Sequence, residues 1–388
     1  MLRSLYSGIS GLRAHQTMLD VTGNNIANVN TAGFKASSTQ FQDTLSQLQQ
    51  GATGPQAATG GSNPAQIGLG VRVAGVTTNF SQGSSQSTGR ATDMMISGDG
   101  FFVTSKGGQQ LFTRAGSFSP DSANQLVSPD GGILQGWPAT NGVVTAGAPV
   151  GDITLNPNTM IAAATKNVAL DGNLPSDAAN GTKLDRIVKV YDAAGAERSV
   201  AMTFTKAGST WNIAATDGGT TANGSVTYTN GLPTAGGNFT VNGITIDISK
   251  VSGYAGMDSL AVSGQDGAPV GKLESYTLGS DGSLVGSFSN GIKQVLAKIA
   301  LAKFTNPGGL EKAGGSSYVA TGNSGGVQLG AAGDPGIGTL TGGTLEMSNV
   351  DLSQEFTNLI VAQRGFQANA RIITTSDEVL QELTQLKR

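Results

Sequence analysis

The sequence predicts an α+β, multi-domain chain: paired N- and C-terminal α-helices with heptad seams, flanking two predominantly β domains of sandwich or barrel type. Three observations carry this expectation. Apolar residues recur every seven positions at both ends, the spacing of helices that pair. The long middle alternates short period-two stretches with turn signals, as antiparallel sheets do. Glycine supplies 58 of 388 residues while charged residues make up only 13%, against about a quarter in an ordinary globular chain.

At the N-terminus, Leu5, Leu12, Leu19 and Ile26 fall seven apart, with Leu2 and Ile9 beside them. At the C-terminus, Leu345, Leu352, Leu359, Phe366, Ile373 and Leu380 repeat the spacing, accompanied by Phe356, Ala370 and Leu383. Ser348 and Asp351 form a capping-box pattern that starts the second helix. A helix over most of 349–386 would be about 50 Å long, too long for a small domain to cover. Such a stripe is most often the core face of a globular helix. Here the second seam is poor, with Gln16, Gly23, Gln363 and Asp377, and Gly8, Gly11 and Gly23 each cost about 1 kcal/mol in a helix interior. The ends are therefore expected to fray in a lone subunit and to be ordered against partners.

Between the ends the pattern is β. Residues 1–35 read as the N-terminal helix and its exit, and 36–70 as linker or irregular chain: a helical or irregular piece to about Gln50, then a Gly- and Pro-rich linker over 51–66. An inner β domain is expected over 71–145 and 271–344, interrupted by an outer β domain at 146–270; the C-terminal helical segment follows over 345–388. Asn242-Gly243, followed by Ile244, Ile246 and Ile248, is a strong hairpin signal; Ser280-Asp281-Gly282 marks a second. Ile187–Tyr191, Val200–Phe204 and Trp211–Ile213 read as short strands. Residues 294–304 are ambiguous between helix and strand, and their flanks favour strand.

The same composition excludes several chemistries. With no cysteine and a single histidine, His15, a structural zinc site, an iron–sulfur centre or a thiol enzyme lacks its ligands. His15 reads as a packed residue of the terminal helix. At this glycine content a GxG triplet arises by chance about eight or nine times, so no cofactor is read from one. Gly322-Asn323-Ser324-Gly325-Gly326 matches G-x-S-x-G but lies in a Gly/Ser-rich loop with no histidine after it. The net charge of −3 and the absence of basic runs argue against nucleic acid. No apolar run reaches the ~18 residues of a membrane span. The expectation is a non-enzymatic chain with no catalytic, cofactor-binding or metal residues.

The ends then resemble a known family. LDVTGNNIANVNTAGFK at 19–35 is similar to the N-terminal signature of bacterial flagellar rod and hook proteins, and GTLEMSNVDLSQEFTNLIVAQRGFQANARIITTSDEVLQELTQLKR at 343–388 to that family's C-terminal helix. TGRATDMMISGDGFFVT at 88–104, FTRAGSFSPD at 112–121 and LQGWPA at 134–139 resemble the segment shared by the distal rod and the hook. VKVYDAAGAERSVAMTFTKAGSTWNI at 188–213 and SYTLGSDGSLVGSFSNG at 275–291 look like the outer domain and return strand of the hook branch.

The resemblance implies a structural subunit of the hook: a flexible curved tube, acting as a universal joint that transmits motor torque to the filament. It implies self-assembly through the terminal helices, carried by Leu5, Ile9, Leu12, Leu19, Ile26, Leu352, Phe356, Leu359, Phe366, Ile373, Leu380 and Leu383. Asn24, Asn25, Asn28, Asn30, Gly33, Phe34 and Lys35 form the motif that sets the conformation after the first helix; as Asn and Gly favour positive φ, the same residues also read as a plain helix stop. Other implied partners are the rod, the hook cap, hook–filament junction proteins and the flagellar export apparatus, with export outside the cell and no cleaved signal. A distal rod or junction protein is the alternative within the family. A surface adhesin would explain the β content but not the terminal heptads.

Overall fold

The computed structural model describes residues 2–55, 60–145 and 147–385. The chain divides into two compact units, Met1–Leu155 with Leu278–Leu284 and Val295–Arg388, and Asn156–Thr277 with Val285–Gln294.

In the first unit the apolar repeats form two helices, α1 (Leu2–Ala27) and α2 (Leu352–Gln385). They pack antiparallel along a line of small residues. A Cβ on Gly8 would lie 3.3 Å from Ile372, one on Gly11 2.7 Å from Asn369, and one on Gly365 2.5 Å from His15. In each facing pair the residue numbers add to 380, a regular antiparallel register. Gly8 and Gly11 therefore repay their propensity cost by letting two backbones approach, whereas Gly23 has open space around it. The leucine seam is not the tightest line of contact. Leu5, Ile9, Leu12, Leu19 and Ile26 are half-buried, as are Leu359, Phe366 and Ile373; Leu352, Phe356, Leu380 and Leu383 are exposed.

Two details of α2 differ from expectation. Leu345, taken as the first seam position, lies in the strand Thr344–Glu346, because that segment pairs with Ser85–Ser87 before the helix begins. The cap is Asp351 and not Ser348: Asp351 Oδ1 accepts from the backbone N–H of Ser353 (2.8 Å) and Gln354 (3.2 Å), while Ser348 Oγ accepts from Val350. A carboxylate at this end also suits the helix dipole.

Residues 36–70, expected to be irregular, carry strands. Ser37–Asp43 pairs with Val71–Thr78, and Ser46–Gln50 with Ala65–Gly68. The Gly/Pro-rich composition belongs to the tip of this long hairpin, while the residues on either side of it satisfy one another's backbone groups. The rest of the unit is a sheet that includes Phe101–Lys106, Gln109–Thr113, Ile133–Pro138, Lys293–Lys303 and Ser317–Val319. Residues 294–304 are thus strand. Phe101, Phe112, Phe304 and Tyr318 pack edge-to-face on this sheet, Phe112 and Phe304 with centroids 4.8 Å apart.

In the second unit, Lys183–Tyr191, Glu197–Ala207, Thr210–Asp217, Thr220–Thr229 and Leu232–Gly236 form one antiparallel sheet. Asn238–Val241, Ile244–Ser252, Asn167–Asn173 and Ala261–Gln265 form another. Alternating residues of both, including Phe204, Trp211, Leu170 and Ile246, share one core, which makes the unit a β-sandwich. Asn242 (φ 47°) and Gly243 (φ 82°) both take positive φ in the tight hairpin turn. The unit begins later than residue 146, because Gly151–Asp152 pairs with Ile133–Pro138 in the inner sheet. It also extends past 270 and takes in Val285–Gln294, where Asn290 Nδ2 donates to the carbonyls of Ile161 and Pro269.

Gly365→Val places a branched side chain against the His15 ring, and overpacking of this kind costs about 1–3 kcal/mol. The expected result is an earlier loss of helical circular dichroism on heating, with the β signal retained; an unchanged helical melt would show that the close approach is not needed.

Candidate functional site

The Asn- and Gly-rich motif leaves α1 and is stitched, residue by residue, to the strand that leads into α2. Asn28 closes the helix, its side-chain amide donating to the Asn24 carbonyl (2.9 Å), and Thr31 Oγ1 donates to Asn28 Oδ1 (3.1 Å). Asn25 is 1% exposed and reads the backbone of Ser37 at two points. Its Oδ1 accepts from Ser37 N (3.0 Å) and its Nδ2 donates to Ser37 O (2.7 Å) and to Glu355 Oε1 on α2 (3.1 Å). Gly33 has φ 69°, and its N–H donates to the Glu346 carbonyl (2.7 Å); a Cβ there would lie 2.4 Å from the Ala115 nitrogen. Only glycine meets both demands.

The motif ends on a buried ion cluster. Lys35 and Glu346 have no exposed side-chain surface, and their Nζ–Oε1 distance is 2.6 Å. Lys35 Nζ also donates to Ser81 O (2.7 Å), Glu346 Oε1 accepts from Gly83 N (2.9 Å), and Arg114 reaches Glu346 Oε2 at 3.5 Å. Burial holds the Lys35 ammonium below its ordinary pKa, opposed by the hydrogen bond and charge of Glu346. Beside it, Asn349 Oδ1 accepts from Ala36 N (2.8 Å) and its amide donates to Asn79 O and Ser81 O. Four stretches distant in sequence meet here: 25–37, 79–83, 114 and 346–355.

Of the motif residues, Asn25, Asn28, Gly33 and Lys35 are placed in this junction. Phe34 lies under the Lys312 ammonium, 5.4 Å from its ring centre, Asn24 is exposed as an acceptor for Asn28, and Asn30 is exposed. The partners Glu346, Asn349, Glu355, Arg114 and Ser37 were not singled out from sequence. A buried lysine needs a carboxylate, but the surrounding TAGFKASST does not mark Lys35 as buried, and 26 acidic residues offer no way to choose its partner.

Alongside the junction runs an open groove of about 910 Å³, walled by α1 residues from Thr17 to Asn28, by Phe34, Val76 and Leu345, and by the 312–318 turn. Lys312 donates to Ser37 Oγ (2.8 Å) at its edge, and burial lowers its pKa. Tyr318 is 2% exposed, and burial pushes its phenol up to about 12. The remaining candidates are structural. His15 packs on Gly365 and edge-on to Phe41 at 5.8 Å. Ser324 is wholly buried and bonds its own loop through Thr321 and Gly325. Among the described residues no three His, Asp or Glu side chains gather to hold a metal, and no helix is long and apolar enough to cross a membrane.

Comparison with known proteins follows the same geography. Residues 5–35 match the flagella basal body rod protein family, 95–174 the flagellar hook protein FlgE/F/G D1 domain, and 341–386 the flagellar basal body rod FlgEFG protein C-terminal family. The chain is 40% identical to the flagellar hook protein FlgE of Borreliella burgdorferi over all of both chains. The chain belongs to the flagellar hook and rod protein family. It is also 35% identical to the FlgE of Escherichia coli over 98% of both chains, and 33% identical to the basal-body rod protein FlgG of Bacillus subtilis over all of both. The fold is like that of Helicobacter pylori flagellar hook protein FlgE2, with a TM-score of 0.50 at 15% identity, covering 68% of this chain and all of that one. Both family segments that match the ends contribute to the ion cluster, Lys35 from one and Glu346 from the other.

Glu346→Gln keeps the shape of the side chain and removes the charge that compensates Lys35 and Arg114. Breaking a buried pair from one side costs about 3–5 kcal/mol, and Lys35→Met combined with Glu346→Gln is expected to cost less than the two single changes added together, as read by chemical denaturation. Tyr318 holds a proton in the folded chain between pH 10 and about 12 that the unfolded chain releases, so its contribution is complete below pH 10 and is lost as pH rises towards 12. Stability is expected to fall by about 2–3 kcal/mol from this residue over that window, and Tyr318→Phe to remove that share while leaving the one from Tyr228, whose phenol burial also pushes up to about 12.

Proposed function

We propose that this chain is the structural, non-enzymatic subunit of a bacterial flagellar hook, polymerising into a flexible curved tube that transmits torque from the motor to the filament. The observation that carries the reading is the end-to-end correspondence with hook proteins, the Borreliella burgdorferi relative among them. The geometry supports it from below. Leu352, Phe356, Leu380 and Leu383 stand exposed on one subunit, an apolar surface that needs cover, and the junction holds the two helices in one direction relative to the inner sheet. Leu5, Ile9, Leu12, Leu19, Ile26, Leu359, Phe366 and Ile373, each half-covered within the chain, would complete their burial against neighbouring copies.

On this reading the subunit lies outside the cell, reaches it through the flagellar export apparatus, and meets the rod, the hook cap and the hook–filament junction proteins. A distal rod protein of the same family would build a straight tube instead. An adhesin leaves the paired termini without a purpose.

The full-length chain is expected to form curved tubes visible by electron microscopy, and removal of residues 1–30 or 350–388 to abolish them. Amide exchange in α1 and α2 should slow markedly on assembly. Straight tubes would favour the rod reading; tubes that survive removal of both ends would refute a role for the helices.

A further inference from the structure

The two ends of the α1–α2 pair differ. At one end α1 leads into the groove beside the junction. At the other, α2 runs on past α1: the facing-pair register places Leu2 opposite about residue 378, so α2 residues up to Gln385 extend beyond the described part of α1. Leu380 and Leu383 lie on this extension, 37% and 47% exposed. At 3.6 residues per turn they sit about five turns on from Ala362 and Gly365. Ala362 is wholly buried, and Gly365 faces His15. The two leucines therefore prolong the face that α2 presents to α1, beyond the described part of α1.

We propose that this extension of α2 docks into the groove of a second copy of the same chain, Leu380 and Leu383 entering between Val21, Phe34, Val76 and Leu345. The inference rests on the hook reading and specifies the partner of its assembly surface. Three observations choose this occupant. The bare leucines continue an interface already formed within the chain. The groove and the extension lie at opposite ends of one antiparallel pair, so the contact is head-to-tail, which generates an open polymer and not a closed dimer. Charge also matches. The last part of α2 carries Asp377, Glu378 and Glu382, which outnumber the Lys387 and Arg388 that follow them in sequence, while the groove holds Lys312, which has no carboxylate within 4 Å among the described residues. Of the groove's carboxylates, Asp130 is taken up by Ser128 and Lys106, which leaves Asp20 on the α1 wall.

The natural absence of cysteine allows a direct test in the full-length chain. Val21→Cys together with Leu383→Cys should give, on mild oxidation of assembled polymer, a ladder of covalent multimers in denaturing gels. Dilute monomer and either single variant should not. Polymer that dissolves entirely to monomer would overturn the proposal, since a docked pair must bring the two Cα atoms within about 7 Å. Independently, Lys312→Glu should raise the critical concentration for assembly by about tenfold, and adding Glu382→Lys should restore it. Monomer melts of each variant separate docking from folding. No effect of Lys312→Glu, or no rescue, would also count against the contact. Failure of the unaltered chain to polymerise would instead sink the hook reading itself.

Discussion

The buried Glu346 carboxylate is the constraint on which the architecture of the first unit depends. It takes Lys35 from the end of the N-terminal motif, Arg114 from the inner sheet and the Gly83 amide from the stretch between them, while its own carbonyl receives Gly33. A buried charge tolerates few arrangements, because each missing partner leaves a desolvated ion. Such a cluster specifies geometry more than it adds stability. It ties the stretch that follows α1 to the strand that precedes α2.

Glycine and leucine divide the work on those helices. Gly8, Gly11 and Gly365 close the pair inside the chain, so the larger apolar residues are not consumed there. Leu352, Phe356, Leu380 and Leu383 remain exposed, and the leucines of α1 are only half covered. A pair closed through leucines would be more stable alone and would have less to offer a neighbour. The sparse charge follows the same logic, since like subunits packed together gain nothing from repeated charges of one sign.

Much of the fold was legible because it rests on periodicity. The heptads announced both helices within a few residues, and Asn242-Gly243 announced its turn through the positive φ that both residues accept. The hairpin in 36–70 was not legible, because its glycine-rich tip dominated the local composition and its strands, Ser37–Asp43 among them, lack a buried face. The Ser348 cap failed for a different reason. Ser348 and Asp351 are both good caps, and the choice fell to Asp351 because the strand ending at Glu346 holds Ser348 outside the helix.

The candidate site divides along the same line. The motif residues Asn25, Gly33 and Lys35 stand out in the sequence by type and spacing, and so does the family to which they belong. Their partners Glu346, Asn349, Glu355 and Arg114 do not, since a salt bridge between residues 311 positions apart leaves no local trace. Residue order alone decided where the two helices run, where the Asn242-Gly243 turn falls and which lineage the chain joins, because these depend on neighbours along the chain. Only the tertiary structure decided that glycines close the helix pair, that leucines stay outside and that one carboxylate gathers both ends, because each of these requires distant residues to share one place.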